Sequence, residues 1–174
     1  MKYILLLLFT SCASVTPQVG YREARSYEGD SGSQVGIGVR GDVELGPVMI
    51  EGSTNAWSDL GSDDEFVNRS TTNIDTDDLQ FSLGGYVPIV KGDDWMLTAG
   101  LGGAWQRTRT DVDLSYAGSY TDHADAWSAY AELAYRRSAL LLAVRYDQEL
   151  SDVDIFTTNP RGSLAVLAGV SIGF

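Results

Sequence analysis

The chain has 174 residues, a length that suits one domain, and its 24 acidic and 12 basic side chains give a net charge of −12. This balance argues against a nucleic acid partner, because phosphate binding needs a patch of lysines and arginines. One cysteine and one histidine exclude a disulfide framework and a histidine-rich zinc site, and the absence of eighteen consecutive apolar residues excludes a helical membrane span.

The first residues have the composition of an export signal. A minimal basic start is followed by an unbroken apolar run from Tyr3 to Phe9 and then by small residues. Because the run is too short to span a bilayer, residues 1–11 are predicted to be a signal peptide of a bacterial exported protein.

Two cleavage sites remain open. Leu8-Phe9-Thr10-Ser11-Cys12 resembles a bacterial lipobox, whose cysteine is acylated and becomes the mature N-terminus, although Phe9 stands where an aliphatic residue is usual. This alternative makes Cys12 a lipidation site and residues 12–16 a short linker. Ordinary cleavage after Ala13 satisfies the small-x-small rule and leaves no lipid.

From about residue 17 the hydrophobic signal repeats every two residues, which is typical of strands with one apolar face. The clearest example runs from Val35 to Leu45, where apolar residues alternate with polar residues or glycine. The other segments that alternate in this way are 79–87, 95–105, 127–135, 140–146 and 164–174, with weaker candidates at 18–28 and 47–57. The sequence therefore predicts eight strands and no helix of any length.

The connections between these strands alternate in size. Those at 46–47, 88–94 and 136–138 are short, whereas those at 58–77, 107–124 and 149–162 are long and polar. The connection at 29–33 is the exception, because it is short although it belongs to the end with the long connections. All four prolines, Pro17, Pro47, Pro88 and Pro160, are predicted to lie outside strand interiors. Short turns at one end and long loops at the other are typical of an outer-membrane β-barrel.

Two further patterns favour a barrel in lipid over a soluble sandwich. The non-apolar faces are rich in glycine and alanine, which suits a narrow lumen. Trp95 and Trp105 share a face and lie ten residues apart, roughly 25 Å along the membrane normal and close to the height of an apolar band. The residues predicted to form the aromatic girdles are Trp95, Trp105, Trp127, Tyr135, Tyr146 and Phe174.

The last strand resembles the assembly signal of outer-membrane barrels. Gly169, Ile172 and Phe174 occupy its glycine, hydrophobic and terminal aromatic positions, while Leu167 departs from it where a polar residue is usual. Residues 17–174 resemble, at the level of pattern, the small eight-stranded outer-membrane proteins of the OmpA-transmembrane, OmpX and opacity type.

This resemblance implies an all-β fold, an eight-stranded antiparallel up-and-down transmembrane β-barrel in the outer membrane of a Gram-negative bacterium. It also implies a monomer whose partners are outer-membrane lipid, lipopolysaccharide and the barrel assembly machinery. A soluble β-sandwich or lipocalin-like lipoprotein is the alternative fold.

An eight-stranded barrel is just wide enough for its own side chains to fill it, so charges in the lumen must pair. The charged residues at the predicted lumen parity are Arg22, Arg40, Glu44, Glu51, Glu132 and Arg145. Because the set is of mixed sign, it predicts an internal ion-pair network that plugs the barrel. A narrow conduit for small ions is the alternative.

Carboxylates crowd the predicted outer rim. They are Asp59, Asp63, Asp64, Glu65, Asp75, Asp77, Asp78, Asp111, Asp113, Asp122, Asp125, Asp147, Glu149, Asp152 and Asp154. The plain interpretation is solvated acidic loops, available to an extracellular partner. Asp111 with Asp113, and Asp152 with Asp154, have a spacing that Ca²⁺ or Mg²⁺ could use, although no twelve-residue calcium loop with its glycine is present.

No catalytic constellation is visible, and no cofactor is predicted. Some small outer-membrane barrels modify lipid A with a serine and a histidine, but the only histidine, His123, is followed two residues later by Asp125 and not by a serine. The sequence thus predicts a barrel with a structural, adhesive or surface-interaction role. A lipid-A-modifying enzyme and a narrow pore are the alternatives.

Overall fold

The computed structural model describes residues 13–26, 31–60, 65–67, 70–114, 118–150 and 160–173. The regular elements of this part of the chain are all strands: β1 Ala13–Ser26, β2 Ser31–Leu45, β3 Val48–Asp59, β4 Glu65–Val67, β5 Ser70–Lys91, β6 Trp95–Leu114, β7 Gly118–Arg137, β8 Leu140–Glu149, β9 Pro160–Val170 and β10 Ile172–Gly173. Within these ranges no helix is long and apolar enough to cross a membrane.

Eight of the strands form a closed ring. Each of β1, β2, β3, β5, β6, β7, β8 and β9 pairs antiparallel with the next, and β9 returns to pair with β1. The short β4 pairs only with β5, and β10 prolongs β9 along β1. The predicted eight-stranded antiparallel up-and-down barrel is therefore confirmed.

The two ends of the barrel differ. At one end, which we call the turn end, tight connections at 46–47, 92–94 and 138–139 join the strands, and Gly46 and Ser138 adopt positive φ angles of 67° and 51°. At the other, the loop end, β5, β6 and β7 continue past their neighbours: β3 ends at Asp59, and its last pair with β5 is Ser58 with Asp77, so the first seven residues of β5 lie beyond this pairing. The 20 residues of β6 cover roughly 50 Å along the barrel axis, about twice the height of an apolar band.

The part of β5, β6 and β7 that rises past the barrel is called the extension, residues 70–77, 107–114 and 118–126. Most of the predicted long connection 107–124 is therefore wrong, because residues 107–114 of β6 pair with residues 118–125 of β7. Residues 115–117 lie outside the described part of the chain. The same holds for 70–77, which was predicted to belong to a loop and lies in β5. Threonines and other residues of high β propensity form these strands, but apolar residues such as Val112 are few and stand among threonines, so the hydropathy alternation is weak.

The first strand also differs from expectation. Because β1 begins at Ala13, the predicted linker 12–16 is wrong from its second residue, while residues 1–11 and Cys12 lie outside the described part of the chain. Pro17 lies within β1, and its missing N–H coincides with the break between β9 and β10. Pro88 lies within β5, at an irregularity in the pairing with β6.

The two faces of the barrel wall are inverted relative to a soluble protein. Apolar side chains such as Ile37 and Leu101 point outward and are 70% exposed, whereas Thr16, Arg40 and Thr98 point inward and are fully buried. This is the arrangement expected when lipid surrounds the wall.

Aromatic rings in the lumen lie directly on glycines of neighbouring strands. Trp57 is packed against Gly20 and Gly36, and Tyr130 is packed against Gly84 and Gly102, so closely that a Cβ at any of these glycines would overlap the ring. The high glycine content of the chain is thus partly explained by the close approach of these two rings to the wall.

Candidate functional site

The lumen holds two groups of charged side chains at different heights. The group nearer the turn end, called the turn-end cluster, contains Asp42, Arg40, Glu51, Glu132 and Arg136. Its centre is Arg40, whose Nη1 and Nη2 donate to the two carboxylate oxygens of Glu132 at 2.7 and 2.9 Å. Both side chains have an exposed fraction of 0%, so this is a fully desolvated bidentate pair.

Two further contacts extend the turn-end cluster. Glu51 accepts from Arg40 and, at 3.0 Å, from Arg136 Nη2. Arg136 Nη1 in turn donates to Asp42 at 2.9 Å, and Asp42 also accepts from the Ser14 hydroxyl at 2.6 Å. Three carboxylates therefore share two guanidinium groups: each charged side chain contacts one of opposite sign, but the turn-end cluster holds one carboxylate more than it has guanidinium groups.

The loop-end cluster is built on Arg22 and Arg145. Arg22 donates to Asp78 and Gln34, and it lies 4.8 Å from the ring centroid of Trp57. Arg145 donates to both carboxylate oxygens of Asp147 and lies 3.7 Å from the ring of Tyr130. Each arginine is thus held by a carboxylate and an aromatic face together.

Neutral hydrogen bonds fill the space between the clusters. Gln18 donates to Asn55 at 2.6 Å, and Ser53 and Ser82 are 2.6 Å apart. The lumen side chains thus make contacts over most of the barrel height.

Of the six charged residues that the sequence places in the lumen, five lie buried there: Arg22, Arg40, Glu51, Glu132 and Arg145. The placement of Glu44 is wrong. It has the right parity, but it lies one residue from the end of β2, where the lumen opens to solvent, and it is exposed.

The sequence prediction missed four members of the clusters, namely Asp42, Asp78, Arg136 and Asp147. Asp78 and Asp147 were assigned to the acidic outer rim, and this is wrong: both are buried partners of lumen arginines. The available signal was the two-residue period of a strand. Asp78 lies two residues from Gln80, and Asp147 lies two residues from Arg145, so each shares the lumen face with that residue.

The predicted girdle residues fall into two groups on the outer wall. Near the turn end the rings of Trp95 and Tyr135 are 6.1 Å apart. Toward the loop end Trp105 stacks on Phe81 at 5.6 Å and is the strand partner of Trp127, while Tyr146 is exposed on β8. Phe174 lies outside the described residues.

The residues of the predicted assembly signal lie where β9 and β10 meet β1. Gly169 is buried, and a Cβ there would come within 2.7 Å of the Pro17 carbonyl oxygen, so the close approach of β1 requires glycine. Ile172 points outward and is exposed.

The extension carries its two arginines and their aspartate partners on the outer face. Arg107 lies 3.9 Å from Asp125, and Arg109 lies 3.0 Å from Asp111. A hydrogen bond from Thr121, aided by Arg109, holds the pKa of Asp111 below its usual value. Asp113 is exposed beside this pair, and Asp152 and Asp154 lie outside the described residues. Within the described ranges no three carboxylate, histidine or cysteine side chains come together as a metal site.

The histidine does not meet the serine that follows it on the same strand. His123 is exposed on the outer face of β7, whereas Ser128 has the opposite parity and faces the lumen. These two side chains cannot form a nucleophile and base pair, because that requires hydrogen-bond reach.

The comparison with solved structures finds the same fold. Ail, the attachment invasion locus protein of Yersinia pestis, is 14% identical, with a TM-score of 0.61 over 93% of this chain and 99% of that one. Neisserial surface protein A is 14% identical, with a TM-score of 0.60 over 93% and 97%. A major outer membrane protein of Thermus thermophilus is 11% identical, with a TM-score of 0.57 over 93% and 99%.

No curated protein matches the chain at the level of sequence. The family described as outer membrane protein beta-barrel domain matches residues 10–172, nearly the whole chain. The protein is therefore located in the outer membrane of a Gram-negative bacterium, and its turn end is the periplasmic end, since barrels of this class have short periplasmic turns. Because this family model covers nearly the whole chain, and because the strands close into a ring of eight, the chain belongs to the outer membrane protein beta-barrel domain family.

Proposed function

We propose that the protein is a surface barrel whose lumen is plugged by its own side chains and which acts through the extension, in a structural or adhesive role. The observation that carries this proposal is the contrast between a lumen crossed by two buried ion clusters and an extension that rises past the membrane. The barrel would hold the extension at the cell surface.

The lumen contacts support a plug more than a conduit. Opening a path would require separating Arg40 from Glu132 and Arg22 from Asp78, all of them buried. Leaving such a charge without its partner typically costs about 3–5 kcal/mol, so an open state would be sparsely populated.

The extension supports the surface role. It presents exposed charged and polar side chains on strands, which hold a recognition surface more firmly than loops. Ail is named for attachment and invasion, and Neisserial surface protein A is named as a surface protein. We extend the attachment role to this chain as a proposal.

Two measurements test the proposal. Single-channel recording of the purified barrel in planar bilayers is expected to show no large stable conductance, and such a conductance would favour the pore alternative.

For adhesion, residues 108–124 are replaced by Asn-Gly, because Arg107 and Asp125 are strand partners that a two-residue turn can join. Cells displaying the full chain should adhere to epithelial cells more than those displaying the shortened hairpin; equal adherence contradicts the role of the extension.

The lipid anchor on Cys12 remains a prediction. The start of β1 supports cleavage before Cys12, because cleavage after Ala13 would remove the first residue of the strand, which pairs with Val43. The intact mass of the mature protein should exceed that of the chain from Cys12 by the mass of its acyl groups, and Cys12→Ser should abolish this increase. A mature chain that starts at Ser14 contradicts lipidation.

A further inference from the structure

Within the described part of the chain, the turn-end cluster carries one negative charge that no arginine balances. Its carboxylates are those of Asp42, Glu51 and Glu132, and its guanidinium groups are those of Arg40 and Arg136. The loop-end cluster, by contrast, has two of each. An ionised carboxylate without a counter-charge is costly in a desolvated lumen, and a proton or a metal cation would balance it.

The hydrogen bonds indicate which carboxylate is the surplus one. Glu132 accepts a bond from Arg40 on each oxygen, at 2.7 and 2.9 Å. Asp42 accepts from Arg136 at 2.9 Å and from a serine hydroxyl at 2.6 Å. Glu51 has the longer contacts, 3.0 Å from Arg136 and 3.3 Å from Arg40, and both end on Oε2. Its Oε1 lies 3.1 Å from Arg40 Nε, but that N–H is not directed at it. Glu51 is therefore the carboxyl group that is held least like an ion.

Other carboxylates flank Glu51 on two sides. Asp42 is its strand partner on β2 and is buried in the lumen beside it, and Glu132 shares the Arg40 side chain with it. Like charges at such positions repel, so a further negative charge on Glu51 is unfavourable. The titratable and charged groups that face Glu51 from the neighbouring described strands are Arg40 and Asp42 on β2, Tyr86 on β5, and Tyr130, Glu132 and Arg136 on β7.

Tyr86 offers an acceptor for a hydrogen on Glu51. The phenol lies beside the carboxyl group of Glu51 and donates its one hydrogen to the Tyr130 hydroxyl at 3.3 Å. Towards Glu51 it therefore presents only oxygen lone pairs. A neutral carboxyl group can donate its O–H to that oxygen, whereas an ionised one would place two acceptors against each other.

We propose that Glu51 holds a proton on Oε1 in the folded barrel at neutral pH, which makes the turn-end cluster a proton-binding site that faces the periplasm. The side chain of Arg136 is 14% exposed and that of Asp42 is 7% exposed, so the cluster reaches solvent at the periplasmic mouth of the lumen. The proton is taken up from water at this mouth, and it returns there when the pH rises and Glu51 becomes a carboxylate. The cluster then regains its surplus charge, and the ion-pair network in the lumen is weakened.

Unfolding of the full barrel in lipid vesicles by urea, followed by tryptophan fluorescence, tests the proposal from about pH 5 to about pH 9, where a glutamate of the unfolded chain is ionised. Because the folded state holds one proton more than the unfolded chain, the unfolding constant of the wild type should rise with pH, by up to about tenfold per pH unit. Glu51→Gln resembles the neutral acid. This variant should lose that share of the pH dependence and be at least as stable as the wild type at the alkaline end.

Asp78→Asn is the matched control, because it makes the same change of acid to amide in the loop-end cluster, where the carboxylates and guanidinium groups balance. It leaves Arg22 buried without its carboxylate, so the unfolding constant should rise at least about tenfold at every pH. Its dependence on pH should remain that of the wild type, since Asp78 is ionised throughout this range.

Infrared spectroscopy of the folded barrel gives a second measurement that requires no unfolding. The wild type at neutral pH should show the carbonyl band of a protonated carboxylic acid, which fades as the pH is raised and is missing from Glu51→Gln. The titration of this band in the wild type decides the matter even if a variant does not fold, and folding is checked by the gel shift on heating.

Three results overturn the proposal. The first is the lack of a protonated carboxyl band in the wild type. The second is a loss of stability in Glu51→Gln as large as that in Asp78→Asn at the alkaline end. The third is a wild-type stability that depends on sodium concentration, with ionic strength held constant by choline, and not on pH, which would make a metal cation the balancing charge.

Discussion

The charged side chains of the lumen are shielded from water, whereas those of the extension are exposed to it. In the turn-end cluster Arg40 and Glu132 have an exposed fraction of 0%, and their atoms are held in a bidentate geometry. On the extension Arg107 and Asp125 are each more than half exposed and 3.9 Å apart. A buried charge that loses its partner stays desolvated, whereas an exposed charge that loses its partner regains water.

This difference separates stability from binding. The lumen charges fix the structure and are not available to a ligand, while the exposed charges contribute little to the fold and can be used for recognition. The two clusters can therefore be tested by the free energy of unfolding, and the extension by binding. The predictions below follow that division, from the largest expected effect to the smallest.

Arg40→Met should cause the largest loss of stability. It leaves Glu132 without its partner and deprives Glu51 of one of its two arginines in a desolvated lumen. We expect the free energy of unfolding to fall by about 3–5 kcal/mol, measured by tryptophan fluorescence during guanidinium unfolding of the barrel folded in lipid vesicles. Arg137→Met, which removes an exposed arginine, should cost less than about 1 kcal/mol. Similar losses for the two variants would contradict the distinction between buried and exposed charges.

The pair of Arg22 and Asp78 should show strong coupling. Asp78→Leu alone leaves Arg22 buried without its carboxylate, and we expect a loss of about 2–3 kcal/mol. Adding Arg22→Met removes the orphaned charge, so the double variant should be more stable than the sum of the single changes by about 1–3 kcal/mol. The cycle is measured by the same unfolding experiment. Additive losses would show that Gln34 and Gln106 suffice to satisfy Arg22.

The strands of the barrel could be predicted from sequence because the wall separates lipid from lumen. Each residue between Val35 and Leu45 faces one environment or the other, so the alternation is enforced along the strand. Above the membrane the outer face of β6 carries charged side chains, and its inner face carries Thr108, Thr110 and Val112, of which the last two are buried. Polar residues thus stand on both faces, so the same backbone pattern gives little hydropathy signal. For this reason the extension was predicted to be a loop.

The lumen contacts could be predicted only in part. Parity indicates that Arg22 and Arg40 point inward, but it does not indicate their depth, which is why Glu44 was included and is exposed at the lumen mouth. Partners such as Asp78 and Arg22 are 56 positions apart and meet across the lumen. Their pairing depends on closure of the ring, which no local pattern encodes.

Gly102→Ala should destabilise the barrel moderately. A Cβ at this position would overlap the Leu83 carbonyl oxygen and the Tyr130 ring, which also lies against Arg145. Overpacking of this kind typically costs about 1–3 kcal/mol. Gly85→Ala is the control, because a Cβ there meets nothing within 4 Å. The temperature at which the gel shift is lost should fall for the first variant and not for the second; equal temperatures would show that Tyr130 moves freely in the lumen.

Arg107→Gln should have the smallest effect on stability. Its pair with Asp125 is exposed and long, so Coulomb attraction is screened and removal should change the free energy of unfolding by less than about 0.5 kcal/mol. The measurement is guanidinium unfolding of the barrel in lipid vesicles, at low and at high salt. A loss of more than about 1 kcal/mol would mean that Arg107 holds β6 to β7 and is not available to a ligand.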